Sequence, residues 1–315
     1  MVQLRGKYGY IVWFLALLAA TLLFVGGPDI YTLRSLRSIW GIGHLFCFAL
    51  WAYLYVCWRP QRSFLQLILD VLILSFVLGG ITELIQSQIG REAAWQDLGN
   101  DLLGGTLGVV FFAEARKLVG FGQLKFLQLS ILLILFWTLL PIGQVIVDDA
   151  IAYHQFPLLS GFETPLEVSR WSGSAKRTRD DKVSSRGSYS LRVALTTQRY
   201  SGIGLKDFPR DWSGYQAVSL RVFNPDQSSL LLHFRIHDQY HSSRKNIHNY
   251  SYSDRYNNSF KLAPGWNTLQ VSLDKVAHAP KNRQLDLSKI GGMGVFVGKL
   301  ARPRIIYLDD VMLIP

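Results

Sequence analysis

Along the first half of the chain apolar residues come in long blocks, and along the second they alternate with polar ones. Blocks over about residues 9–26, 40–58, 64–86, 98–115 and 126–147 qualify or nearly qualify as membrane-crossing helices, each of which needs roughly 20 mostly apolar residues. The fourth is the least apolar at its start. Short loops join the blocks, which predicts a membrane α-helical bundle of five transmembrane helices. From about residue 160 the period falls to two. SYSLRVAL, QAVSLRVF, SLLLHFRI, NTLQVSL and RIIYLDDVMLI alternate apolar with polar positions and are separated by Gly, Pro, Asn and Asp clusters. That pattern predicts an all-β antiparallel sandwich, or a barrel of similar strand count. In SLLLHFRI the alternation sends Leu230, Leu232, Phe234 and Ile236 to the core and His233, Arg235 and His237 to the opposite face.

The two halves, residues 1–150 and 151–315, also differ in charge. The first holds 10 Lys+Arg against 9 Asp+Glu and the second 23 against 13, so +1 and +10 make up the net +11. Cytoplasmic loops retain positive residues. With the N-terminus inside, that side collects Arg5, Lys7, Arg59, Arg62, Arg116, Lys117 and Lys125, while the other holds Arg34, Arg37 and Arg91. An odd number of spans then delivers the C-terminal half outside the cytoplasm; four spans would leave it inside. LQLSILLILFWTLLPIGQVIV is a strong span despite Pro141, which membrane helices tolerate. The N-terminal block lacks a convincing small-residue cleavage pattern and reads as a retained anchor. Cys47 and Cys57 share one apolar block, so no disulfide framework follows from their spacing.

One stretch breaks the apolar pattern. GGITELIQSQIGREAAWQDLGNDLLGGTLG, residues 79–108, carries Glu83, Gln86, Arg91, Asp97, Asn100 and Asp101, although a charge in hydrocarbon costs about 2.5 kcal/mol or more. The predicted topology brings these residues and His44 to the outer interface. Glu83 and Gln86 share a helix face, as do Asp97 and Asp101, and Gly104 and Gly108 let two helices approach closely. An ion-pair network that fixes the packing explains the cluster. So does a pocket in which Arg91 and His44 hold a phosphate or lipid headgroup and Glu83 serves as a base. A His opening an aromatic span (GIGHLFCFALWAYLY), then E-x-x-Q, an Arg and DLGNDLLGGTLG together resemble the VanZ-like membrane proteins over residues 28–115. Matched by motif, the positions are His44, Glu83, Gln86, Arg91, Asp97 and Asp101. The family's Asp-Lys before the His is here Trp40-Gly41, and Asp101 stands where its Asn is expected. The resemblance implies a role in the bacterial envelope.

In the second half, FETP, GSYSLRV, PGWNTLQVSL and IIYLDDVMLI are similar to carbohydrate-binding modules of the galactose-binding-like jelly-roll type, over residues 160–315. That resemblance implies a structural calcium (Ca2+) at Glu163 and Asp309, with backbone carbonyls completing its oxygen shell. Residues 235–260, RIHDQYHSSRKNIHNYSYSDRYNNSF, concentrate His, Tyr, Arg and Asp between two strands. Aromatic faces and planar polar groups are what sugar rings and hydroxyls need. Asp238, His241, Asp254, Arg255 and Tyr256 are the candidate ligand residues. A solvated loop covering the sandwich edge and a metal site at His237, Asp238 and His241 are the competing readings.

These readings converge on a multi-pass protein of the bacterial inner membrane. Its extracytoplasmic β-sandwich binds envelope carbohydrate, and its partners are glycan and membrane lipid. Nucleic acid is disfavoured, because an extracytoplasmic domain rarely meets it. A membrane-embedded enzyme acting on a lipid-linked phosphate or sugar through Glu83, His44 and Arg91 is one alternative. An envelope scaffold for a protein partner is the other.

Overall fold

The computed structural model describes residues 9–24, 27–88, 95–243 and 252–315. The chain forms two compact units, Met1–Gly143 and Gln144–Pro315.

The first unit is helical: α1 (Gly9–Phe24), α2 (Arg34–Gly41), α3 (Gly43–Trp58), α4 (Phe64–Gln88), α5 (Trp95–Phe112) and the long α6 (Phe121–Gln155), which continues into the second unit. Three helical stretches are long and apolar enough to cross a membrane: Arg34–Trp58, which joins α2 and α3, Phe64–Ile85 in α4, and α6. Tyr10–Leu23 is apolar but shorter. α3 and α4 both pack on α5, and Ala52, Val56, Leu67, Val71, Val109 and Ala113 form a small core there. Leu65, Leu69, Ile73, Phe76, Phe126, Leu129 and Trp137 point outward. An apolar surface of that extent is rare on a protein surrounded by water and is the ordinary lipid-facing side of a membrane bundle.

The second unit is a two-layer antiparallel sandwich. One sheet runs β3 (Lys176–Asp180), β4 (Ser190–Leu195), β11 (Arg304–Ile314), β6 (Ala217–Asn224) and β9 (Gly265–Ser272), with β1 (Leu158–Ser160) paired to β11. The other runs β2 (Trp171–Gly173), β5 (Tyr200–Leu205), β10 (Ile290–Gly298), β7 (Leu230–Asp238) and β8 (Tyr256–Leu262). Short helices α7 (Gln239–Ser243) and α8 (Leu273–Ala277) follow β7 and β9. Every strand read from the alternation is present. Leu230, Leu232, Phe234 and Ile236 lie in one core with Trp171, Trp212, Leu220, Val295 and Leu308.

Buried polar residues tie the ends of the sandwich. Arg170 and Asp148 are each 1% exposed, and Arg170 donates to the Asp148 carboxylate at 2.8 Å and 3.0 Å and to the Leu159 carbonyl at 3.2 Å. Glu167 is as deeply buried and accepts from the N–H groups of Gly161, Phe162 and Thr164. These carboxylates satisfy donors that would otherwise be buried without a partner.

Candidate functional site

The polar residues of the helical unit meet where α3, α4 and α5 approach. Glycine makes that approach possible. A methyl group at Gly104 would lie 2.2 Å from the Leu45 carbonyl oxygen, and one at Gly108 would lie 2.5 Å from Ala52 Cβ. With the backbones in contact, His44 Nδ1 is 2.9 Å from Asp101 Oδ1 and Nε2 is 3.9 Å from Asp97 Oδ2. His44 is 3% exposed and Asp101 fully buried. Asn100 donates to the Gly41 carbonyl at 3.3 Å. One ligand atom each from His44, Glu83 and Asp97 lies within 4.8 Å of the others. An ionised Asp101 only accepts, so it holds the proton on Nδ1 and turns Nε2 toward the other two carboxylates. One imidazole nitrogen facing two carboxylates is a donor set suited to a divalent cation, and a His oriented by Asp is also a general-base arrangement. The Gln86 side chain and Arg91 lie outside the described residues.

In the sandwich, two of the predicted ligand carboxylates are drawn together by a residue that the sequence did not single out. Arg283 donates to Asp238 at 2.5 Å and 2.9 Å and to Asp254 at 2.7 Å and 3.2 Å. His241 Nδ1 is 3.2 Å from Asp254, and its N–H donates to Asp238. Burial alone would raise the Asp238 carboxyl. Arg283 and the N–H groups of Asp286 and His241 nevertheless hold it below the usual carboxylate range, and Arg283 does the same to Asp254. Arg283 is itself raised by these two partners, against the effect of its burial. The arrangement clamps the segment after β7 to the start of β8. Tyr256 faces the core beside Phe234, with 8% of its surface exposed. Arg255, the fifth candidate, donates to Asn257 Oδ1 at 3.0 Å.

Asn257 pairs with Arg235 across β8 and β7, and this leads to the outer face of the second sheet. On β7 that face carries Leu231, His233, Arg235 and His237, opposite the core positions. Their neighbours on β10 are Phe296 beside His233, Gly294 beside Arg235 and Gly292 beside His237. Those on β5 are Gly202 beside Phe296 and Gly204 beside Gly294. Four neighbouring positions thus lack side chains, and the side chains next to them cover the strip: Gly202, Gly292 and Gly294 are buried beneath Phe296, His237 and Arg235. The His233 and Phe296 rings lie 5.1 Å apart and 32° from parallel, Tyr200 meets Phe296 edge-on at 6.1 Å, and the Arg235 guanidinium lies 5.9 Å from the Phe296 ring. His233 is bonded to Ser259 at 2.8 Å. Burial, then the neighbouring His241, Arg235 and Arg255, push the His237 imidazole down to about 3. The face therefore offers rings, guanidinium groups and amides around a glycine strip.

The outer face of the first sheet has an aromatic row of its own. Phe223 lies 5.3 Å from Trp266 and 6.0 Å from Tyr307. The Arg221 guanidinium lies 5.5 Å from the Trp266 ring, so this face also sets a cation beside its rings, but without the row of glycines.

Glu163 and Asp309 do not fit the expected calcium ion. Glu163 Oε1 accepts the N–H groups of Ser188 and Tyr189, and Asp309 Oδ2 those of Ser185 and Arg186. Arg179 sits on the carbonyl oxygens of Phe162 and Glu163. Burial leaves the Asp309 carboxyl above its ordinary value despite three backbone donors. A calcium ion takes six or more oxygens, and here Glu163 Oε1 and both Asp309 oxygens already accept backbone N–H groups, while a guanidinium holds two of the neighbouring carbonyls.

No family model and no curated protein matches the chain, so neither resemblance read from the sequence has a family match. Solved structures are similar over about half of it. An exo-beta-agarase shares 15% identity over 50% of this chain and 24% of its own, with a TM-score of 0.39. The family 11 carbohydrate-binding module from Clostridium thermocellum, in complex with a beta-1,3-1,4-mixed-linked tetrasaccharide, shares 20% identity over 50% and 94%, with a TM-score of 0.37. A further structure, described by the promiscuous specificity of carbohydrate-binding modules from the β-sandwich superfamily, shares 14% over 50% and 62%, with a TM-score of 0.35. The chain spans 24% of the agarase's length, and the likeness in each case is one of fold.

Proposed function

We propose that this chain is a membrane-anchored carbohydrate-binding protein of the bacterial envelope. Five spans with the N-terminus inside carry the sandwich out of the cytoplasm, in keeping with the loop charges. The VanZ-like bundle anchors it. The observation that carries the binding reading is the glycine strip of β5 and β10 bordered by Tyr200, Phe296, His233, Arg235 and Arg255. Sugar rings stack their C–H surfaces on aromatic faces, and their hydroxyls take planar polar groups; the side chains laid over the glycines present both kinds of group side by side. The Asp238, His241 and Asp254 clamp with Arg283 supports this face from the end of β7, and Arg255 contributes to it directly.

The test is retention of the full chain, in a neutral detergent, on a panel of polysaccharides. Tyr200→Ala and Phe296→Ala are each expected to weaken retention about tenfold, the effect of losing roughly 1–1.5 kcal/mol of ring contact, while Trp266→Ala on the opposite face leaves it unchanged. Loss of retention with Trp266→Ala alone would move the site to the other sheet, and retention of no polysaccharide would end the reading.

A second reading belongs to the membrane unit and is favoured by the convergence of His44, Glu83, Asp97 and Asp101. These residues hold a cation or a cation-bound headgroup, the chemistry that a membrane-embedded enzyme acting on a lipid-linked phosphate needs. Glu83→Gln distinguishes the roles. An inserted, folded variant without cellular effect supports chemistry at the cluster, whereas loss of the protein itself supports a packing role.

A further inference from the structure

The charge carried by the glycine-strip face bears on which glycans it can take. Arg235 lies at the middle of β7, beside Gly294 of β10 on one side and Asn257 of β8 on the other. A methyl group at Gly294 would come 3.5 Å from Arg235 Nε, ordinary van der Waals contact, so the guanidinium lies over this glycine. The Arg235 guanidinium lies 5.9 Å from the centre of the Phe296 ring, and among the described residues Arg255 donates to Asn257 and lies 6.0 Å from the Tyr252 ring. Among the described residues, neither guanidinium pairs with a carboxylate. Arg283, a short distance along the chain, shows the usual outcome: it is held by two carboxylates. Two half-buried cations kept close together without an anion have lost hydration and gained mutual repulsion. Burial pulls both guanidinium groups below the ordinary arginine value, and Arg235 pulls Arg255 down further. An anionic group placed between them relieves both costs, and arginine binds carboxylate, sulfate and phosphate through paired N–H donors.

We infer that the face binds an acidic polysaccharide, whose sugars carry carboxylate, sulfate or phosphate, and that Arg235 and Arg255 recognise those groups. The inference rests on the carbohydrate reading above and adds the class of sugar. The sandwich half, with its +10 balance, draws such polymers in from a distance. The paired guanidinium groups make the contact specific.

The experiment measures binding of the full chain in phosphatidylcholine nanodiscs at about 150 mM salt, where exposed charges are screened beyond roughly 8 Å. The polymers are polygalacturonate, dextran sulfate, a phosphomannan and, as the neutral arm, mixed-linked beta-glucan. At least one acidic polymer is expected to bind at least about tenfold more tightly than the neutral one, a difference of about 1.4 kcal/mol, and the arm that does so names the anion. The double variant Arg235→Gln with Arg255→Gln loses that preference. Its melting temperature stays the same or rises, because it removes two unpaired charges rather than a structural bond. Lys182→Gln with Lys275→Gln takes the same charge from exposed positions elsewhere and leaves the preference in place. Equal loss in both double variants, or a fall in melting temperature that accounts for the arginine result, overturns the inference. Binding of the neutral glucan alone overturns it while leaving the carbohydrate reading standing. Binding of none of the four ends both.

Discussion

Single residues decide how much of the polar inventory is structural. The Arg170–Asp148 pair is buried on both sides, and removal of one partner strands the other charge. Arg170→Met is therefore expected to cost the second unit about 3–5 kcal/mol, read as a lower denaturant midpoint. His237 makes a pH prediction whose sign follows from its depressed value of about 3. The folded state refuses the proton that the unfolded chain takes near 6.5. Stability is full above that pH and falls as the pH drops from 6.5 toward 3, with a slope of up to about 1.4 kcal/mol per pH unit. Asp238 and Asp254 lie below the ordinary carboxylate value, so their contribution is lost only in more acid solution. Denaturation curves between pH 6 and 4.5 should be flatter for His237→Gln, and an unchanged slope would assign that window to other groups. Only part of this was legible in the sequence. The outward face of His233, Arg235 and His237 followed from period two. Arg283 did not, because its partners lie 45 and 29 residues away and its own loop has no periodic pattern.

Among elements, glycine decides which surfaces meet. Gly104 and Gly108 put α5 directly against α3, and the His44–Asp101 contact depends on that approach. Gly104→Leu forces a side chain into the Leu45 backbone and is expected to destabilise the bundle by roughly 1–3 kcal/mol, seen as a lower aggregation temperature in detergent. An unchanged temperature would show that α3 and α5 can separate without loss. The small-xxx-small spacing made this contact readable in advance. The same residue type hid β5 and β10. YSGIGL and IGGMGVFVG present glycine at the outward positions, so the alternation that marks a strand is missing where the candidate binding strip lies.

For the whole molecule, the sidedness of the membrane matters most. α6 has 35 residues, about 50 Å of helix, against a hydrocarbon core of about 30 Å, and so it is long enough to span the core and continue beyond it. If five crossings put the sandwich outside, a periplasmically active reporter fused after Ser160 will be active and a cytoplasmic one silent. The reverse pattern would move the second unit to the cytoplasm and remove envelope glycans from its reach.

The sequence by itself determined the division into an apolar helical half and an alternating β half, the core residues of the clear strands and the charge carried by each half. All of these follow from local periodicity and composition, which neighbouring residues along the chain express. The tertiary structure alone decided which polar residues meet. It assigned Asp238 and Asp254 to Arg283, turned Tyr256 inward, put Arg179 on the carbonyls of Phe162 and Glu163, and left Arg235 and Arg255 without a carboxylate among the described residues. Pairing between residues distant in sequence depends on strand order and register, and no local pattern encodes either.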